Sequence, residues 1–264
     1  MSHLAPTSGT ALNYRMDGTR GKPVLVLSNS LGTDFAMWEP QIAALRPHFC
    51  IVRYDTRGHG GSKPTPGPYS IELLGRDVVA LLDHLKTDRA SFCGLSLGGM
   101  IGMWLGANAP QRIDKLVLAN TAPRMAPPDM WNQRIEKVNA GGINAISDAV
   151  LGRWFTPDFH ASEPAKLAAM KAMMERQPPE GYVACCAAVR DMDQREDIAR
   201  ITAPTLVITG SHDQSTTPAD GAFVAARIEG SQLVALPAAH LSNIEAAPAF
   251  NAALTSFLLG DPRP

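Results

Sequence analysis

The sequence predicts an α/β fold, a mostly parallel sheet flanked by helices, from three observations. Short apolar runs alternate with amphipathic stretches up to about residue 122. The strand-like runs then vanish over roughly Pro123 to Asp197, and the alternation resumes after that. With 264 residues and 45% hydrophobic content the chain can bury a sizeable core, and its length suits one large domain better than two small ones.

Taken in order, Pro23 precedes VLVLS (Val24 to Ser28), and CIVRYD (Cys50 to Asp55) is a second run rich in branched residues. SIELLGRDVVALLDHL (Ser70 to Leu85) follows, with Leu73, Leu74, Val78, Leu81, Leu82 and Leu85 at helical spacing and a serine at its start that can cap it. SFCGL reads as another strand, leading into the helical run GGMIGMWLGANA, and KLVLANT (Lys115 to Thr121) as the next strand. From Pro123 to Asp197 Met and Ala rise, and Pro127, Pro128, Pro157, Pro164, Pro178 and Pro179 punctuate helical segments. That stretch is predicted to be a helical insertion, which divides the chain into a core of residues 1–122 and 198–264 and a lid of residues 123–197. The core resumes with APTLVITG (Ala203 to Gly210), a helical stretch around Ala219 to Ile228, SQLVALP (Ser231 to Pro237) and a helix near Ala247 to Leu259. No internal repeat or low-complexity segment is visible.

The 24 Lys and Arg against 25 Asp and Glu leave a net charge of -1, with no run of like charges. Nucleic acid and anionic membrane are therefore excluded as expected partners. No secretory leader and no apolar stretch of membrane-spanning length is visible, so a soluble, unexported protein is expected. Cys50, Cys93, Cys185 and Cys186 lack zinc-like or CxxC spacing, which fits a reducing cytoplasm. Cys93 lies three residues before Ser96 but inside an apolar run, where it reads as a packed thiol.

The strongest local signal is GLSLGG (Gly94 to Gly99), a G-x-S-x-G motif directly after a strand-like run and before a helical one. A sharp strand-to-helix turn lifts the Ser96 side chain clear of the sheet, glycines on either side avoid clashes, and the helix N-terminus adds positive potential where an oxyanion forms. Taken alone the motif is weak. Asp213 follows the strand TLVITG, and His240 follows the next strand 27 residues later. The order Ser, Asp, His after three strands brings all three loops to the C-terminal edge of a parallel sheet. The predicted triad is Ser96 as nucleophile, His240 as base and Asp213 as the acid that orients it.

Other candidates fit less well. His212 adjoins Asp213 and reads as a rim residue; His59, in DTRGHGGS (Asp55 to Ser62), reads as a brace between loops. Asn120 ends a strand but carries an amide, which cannot stabilise an imidazolium as a carboxylate does. No HExxH or paired-His spacing suggests a metal. A second oxyanion donor is expected in NSLG (Asn29 to Gly32), so the backbone amides of Leu31 and Leu97 form the predicted hole.

With these residues placed, the chain resembles, nearly end to end, the 3-oxoadipate enol-lactonases of aromatic catabolism, within the α/β-hydrolase superfamily. The strings that carry the resemblance are LSNSLGTDFAMW (Leu27 to Trp38), DTRGHGGS, GLSLGGMIG (Gly94 to Gly102), MWNQRI (Met130 to Ile135), RWFTPDF (Arg153 to Phe159), CCAAVRD (Cys185 to Asp191) and AAHLSNIE (Ala238 to Glu245). Elbow, DTRGHGGS and the Asp and His strings identify the superfamily; NSLG and the insertion strings point to the lactonases. Many superfamily members read His-Gly where this chain has Asn29 and Ser30. Serine at the elbow separates the chain from haloalkane dehalogenases and epoxide hydrolases, whose nucleophile is an aspartate.

The resemblance implies a small carboxylated enol-lactone as substrate, opened by water to 3-oxoadipate through an acyl-enzyme on Ser96, with no cofactor. The substrate carboxylate then needs an arginine. Arg134, flanked by Trp131, and Arg153, beside Trp154, are the better candidates, with Arg124 and Arg190 behind them; Trp154 is placed to wall the lactone ring. The competing enzyme readings are a general carboxylesterase and a cofactor-free perhydrolase. From another class, a hydrolase-fold binding protein with little turnover would keep the same residues.

Overall fold

The computed structural model describes residues 2–125 and 127–260 and contains one eight-stranded sheet. The strands are β1 (His3–Thr7), β2 (Thr10–Gly18), β3 (Val24–Ser28), β4 (Cys50–Tyr54), β5 (Ala90–Leu95), β6 (Ile113–Ala119), β7 (Thr205–Gly210) and β8 (Gln232–Leu236), in the order β1-β2-β4-β3-β5-β6-β7-β8. The hairpin β1-β2 and the β2-β4 pair are antiparallel; every pairing from β4 across to β8 is parallel. β4, β5 and β7 are buried along their whole length because helices cover both faces, which is why they read as continuous apolar runs.

The helices flanking the first half of the sheet are α1 (Glu39–Leu45), α2 (Ile71–His84) and α3 (Leu97–Asn108). The Ser70 hydroxyl caps α2 by accepting the Leu73 N–H at 3.1 Å, as its position in the sequence suggested. Between β6 and β7 stand α4 (Pro128–Gly141), α5 (Ser147–Trp154), α6 (Pro157–Ser162), α7 (Pro164–Glu175) and α8 (Pro179–Asp191), with a single isolated bridge, Arg124 to Asp193, joining the two ends of the segment. A proline in the first turn of α4, α6, α7 and α8 starts each of these helices without losing a bond, since the first N–H groups have no intrahelical acceptor. The chain closes with α9 (Pro218–Arg227), α10 (Ser242–Glu245) and α11 (Ala247–Leu259).

In the sheet, two places differ from the sequence expectation. The β1-β2 hairpin carries no long apolar run: Leu12 and Tyr14 face the core, while Leu4 is exposed. β6 starts and ends two residues earlier than KLVLANT; it ends there because Asn120 takes φ 44° and leaves the extended backbone. Among the described residues, no helix is long and apolar enough to cross a membrane.

The helical segment is fastened to the core loops at two places. At α8, Gly181 lies so close to Gly58 that a Cβ on either would come 2.5 Å from the other's Cα, and the Gly60 N–H donates to Gln177 Oε1 at 2.7 Å. At the junction of α5 and α6, the Leu241 N–H donates to Trp154 O at 3.0 Å. The register Ser28 to Gly94, Leu95 to Ala119 and Gly210 to Leu236 brings the ends of β3, β5, β6, β7 and β8 to one edge, beneath this segment.

Candidate active site

Ser96 joins β5 to α3 with φ 58° and ψ −115°, a conformation that a residue with a side chain rarely adopts. Its surroundings hold it there: the Ser96 N–H donates to Ala119 O at 2.9 Å, and the Thr121 hydroxyl donates to Ser96 O at 2.8 Å. The flanking glycines answer a steric need. A Cβ at Gly94 would stand 2.0 Å from Gly98 O, and one at Gly98 would stand 2.1 Å from Ser28 O.

Asp213 and His240 lie in the loops after β7 and β8. Asp213 Oδ2 accepts from His240 Nδ1 at 2.8 Å, from the Thr216 hydroxyl at 2.8 Å and from Asn120 Nδ2 at 3.0 Å; Oδ1 accepts the N–H groups of Ser215 and Thr216 at 2.8 and 3.1 Å. Burial pushes the Asp213 carboxyl up, but the charge and hydrogen bond of His240, with the bonds from Asn120 and Thr216, bring it down to about 2. A carboxylate only accepts, so Nδ1 carries the proton and Nε2 is left as the basic nitrogen. The Ser96 hydroxyl makes no hydrogen bond among the described residues, yet Ser96 and His240 line one cavity. Such bonds are often long in an empty site and tighten with substrate.

The loop Asn29–Gly32 is fixed on every side. Asn29 Nδ2 donates to Tyr54 O at 2.8 Å, Asn29 Oδ1 accepts from Trp38 Nε1 at 3.0 Å, and Asn29 O accepts the Gly98 N–H at 2.9 Å. The Ser30 N–H meets Met37 Sδ at 3.3 Å, and the Gly32 N–H meets His59 Nε2 at 3.1 Å. The N–H groups of Leu31 and Leu97 have no protein acceptor among the described residues, and both residues line the cavity with Ser96. Two free amides beside a nucleophile can receive a developing negative charge.

The cavity measures about 100 Å³. Its walls come from the loops just described and from Trp131, Arg134, Arg153, Trp154 and Tyr182 of the helical segment. Arg134 stacks on Trp131 at 4.7 Å from the ring centre, and neither Arg134 nor Arg153 lies within ion-pair distance of a carboxylate among the described residues. Burial and the charge of Arg134 both lower the pKa of Arg153. The other two arginines are engaged elsewhere, Arg124 with Asp193 at 3.9 Å and Arg190 with Asp191 at 2.7 Å. Trp154 is buried against the cavity. Cys93 is wholly buried, which pushes its thiol up, and His212 is exposed on an outer groove.

Several contacts at the site are not announced by the sequence. Thr216 supplies a hydroxyl to Asp213, Asn120 links Asp213 to Ala239 O at 3.1 Å, and the Ser242 hydroxyl donates to Asn120 Oδ1 at 2.5 Å. Trp131 lines the cavity, and its buried Nε1 has no partner among the described residues. No group of three His, Cys, Asp or Glu among the described residues is placed to hold a metal ion.

Sheet order, elbow and loop placement define the class, and the chain belongs to the alpha/beta hydrolase fold family, whose model matches residues 23–247. Within that family it is 42% identical to 3-oxoadipate enol-lactonase 2 of Acinetobacter baylyi, over 94% of this chain and 93% of the relative. It is 39% identical to 3-oxoadipate enol-lactonase 1 of the same organism, over 90% and 89%. The crystal structure of the enol-lactonase from Burkholderia xenovorans LB400 superimposes with a TM-score of 0.96 at 47% identity, covering 97% of this chain and all (100%) of that one.

Proposed function

We propose that the protein hydrolyses 3-oxoadipate enol-lactone to 3-oxoadipate in the degradation of aromatic compounds, with residues 123–197 as a lid over the core. The observation that carries this reading is the cavity itself: about 100 Å³, with Ser96 on its floor and two arginines without a carboxylate partner in its walls. Such a space suits a small anionic ring and not the long acyl chain of a general ester. The enol-lactonase relatives support the same substrate.

Ser96 Oγ attacks the lactone carbonyl while His240 Nε2 takes its proton, and Asp213 steadies the imidazolium. The carbonyl oxygen becomes an oxyanion held by the Leu31 and Leu97 amides. As the tetrahedral centre collapses, the ring C–O bond breaks and the enol oxygen takes the proton from His240. The leaving group stays tethered in the acyl-enzyme and tautomerises to a ketone. Water, deprotonated by His240, then attacks the acyl carbon and releases 3-oxoadipate and free Ser96.

Arg134 and Arg153 grip the substrate carboxylate, and Trp154 walls the ring. The four cysteines are free and buried, which suits the cytoplasm. The test is to mask the carboxylate as its methyl ester. A charge-assisted pair contributes about 1.5–3 kcal/mol, so kcat/KM is expected to fall by about 10- to 100-fold, and Arg134→Ala is expected to erase most of that difference. Equal rates on acid and ester would contradict the grip.

A further inference from the structure

Glu245 takes no part in the chemistry above, yet its carboxylate joins the two chain segments that flank the reacting groups. Oε2 accepts the Ala239 N–H at 2.7 Å, one residue before His240. Oε1 accepts the Thr156 N–H at 3.0 Å and the Thr156 hydroxyl. One residue after His240, the Leu241 N–H donates to Trp154 O at 3.0 Å. Both neighbours of His240 are therefore fastened to the stretch 154–156 of the helical segment.

That stretch is a partition. On one side Arg153 and Trp154 line the cavity that holds Ser96; on the other, Phe155, Thr156 and Glu245 line an open groove of about 740 Å³. Arg153 and Gln214 border both spaces. A carboxylate is the group the junction requires, because three donors converge on two oxygens and a carboxylate accepts at both. An amide in its place would turn an NH2 towards one of those donors and leave a backbone N–H without an acceptor in the protein.

We infer that Glu245 is a positioning residue, which sets the register between the lid wall that grips the substrate and the His240 loop that moves its protons. The inference rests on the triad and lid reading given above. Loss of the clasp lets wall and base shift relative to each other, and a misplacement of about 1 Å costs on the order of 100-fold in rate. The loss falls on substrates held by the lid. p-Nitrophenyl acetate has no carboxylate to grip and needs only Ser96, His240, Asp213 and the oxyanion donors.

The experiment compares Glu245→Gln, Thr156→Val and the double variant on the lactone and on p-nitrophenyl acetate, with backbone amide exchange recorded for each. Glu245→Gln is expected to lower kcat on the lactone by about 10- to 100-fold while KM and the acetate rate move by less than about threefold. The double variant is expected to be no slower than Glu245→Gln, and Thr156→Val is expected to speed exchange at the Ala239 amide. Equal losses on both substrates, an unchanged lactone kcat, or additive losses in the double variant would overturn the inference. Should the wild-type protein leave the lactone untouched, the substrate reading fails, and the clasp is judged on exchange alone: faster exchange at Ala239 in Thr156→Val supports it, and unchanged exchange overturns it.

Discussion

Asp213 and His59 are both buried, and their surroundings treat charge in opposite ways. Four donors and the neighbouring imidazole keep Asp213 ionised down to about 2, whereas His59 is held neutral, its pKa lowered by burial to about 4 against the opposing effect of the Arg57 carbonyl. Neutrality suits its place, since His59 Nε2 accepts the Gly32 N–H in the loop Asn29–Gly32. The unfolded chain takes up a proton near pH 6.5 and the folded chain only near pH 4, so the unfolded state binds more protons between those values. Stability is full above about pH 6.5 and falls as pH drops towards 4. His59→Gln retains an acceptor for Gly32 and is expected to flatten that slope by up to about 1.4 kcal/mol per pH unit in denaturant titrations; an unchanged slope would assign the titration to other groups. Ser96, Asp213 and His240 were legible in the chain because each follows its own strand at a recognisable place. Trp131 Nε1, Thr216, Asn120 and Glu245 were not, because their roles exist only after distant segments meet.

At the scale of elements, the β5-α3 elbow is tightly constrained, whereas α5 has room at Gly152. Gly94→Ala would drive a Cβ to 2.0 Å from Gly98 O, a backbone atom that cannot swing aside. It is expected to destabilise the protein by about 1–3 kcal/mol and to slow turnover with it, as measured by chemical denaturation and steady-state rates. Gly152 in α5 has open space around its Cβ position, so Gly152→Ala is expected to stabilise by about 0.5–1 kcal/mol. A Gly94→Ala protein as stable as the parent would contradict the steric account of the motif. The buried parallel strands were legible as apolar runs because both of their faces are covered. The β1-β2 hairpin was not, since it lies at the sheet edge, with Leu4 exposed and only alternate residues of β2 turned inward. The end of β6 moved because Asn120 leaves the extended region, a backbone choice that composition does not announce.

For the whole molecule, the parallel sheet gathers the ends of five strands at one edge, and the helical segment closes over them. That segment is fastened beside the oxyanion loop through Gly58 and Gly181 and beside the base through Trp154 and Leu241. The cavity is therefore lined jointly by the sheet-end loops and the helical segment, and in the proposed function reaction class and substrate choice come from different parts of the chain: hydrolysis from the core loops, selection of a small carboxylated ring from the arginines of the helical segment. The most direct test of this division is the ultraviolet-monitored loss of 3-oxoadipate enol-lactone with purified protein, beside p-nitrophenyl acetate and with Ser96→Ala as control. Rapid opening of the lactone with feeble ester cleavage, and a loss of roughly four orders of magnitude or more in Ser96→Ala, is the predicted result. Brisk ester cleavage with an untouched lactone, or an active Ser96→Ala protein, would contradict it.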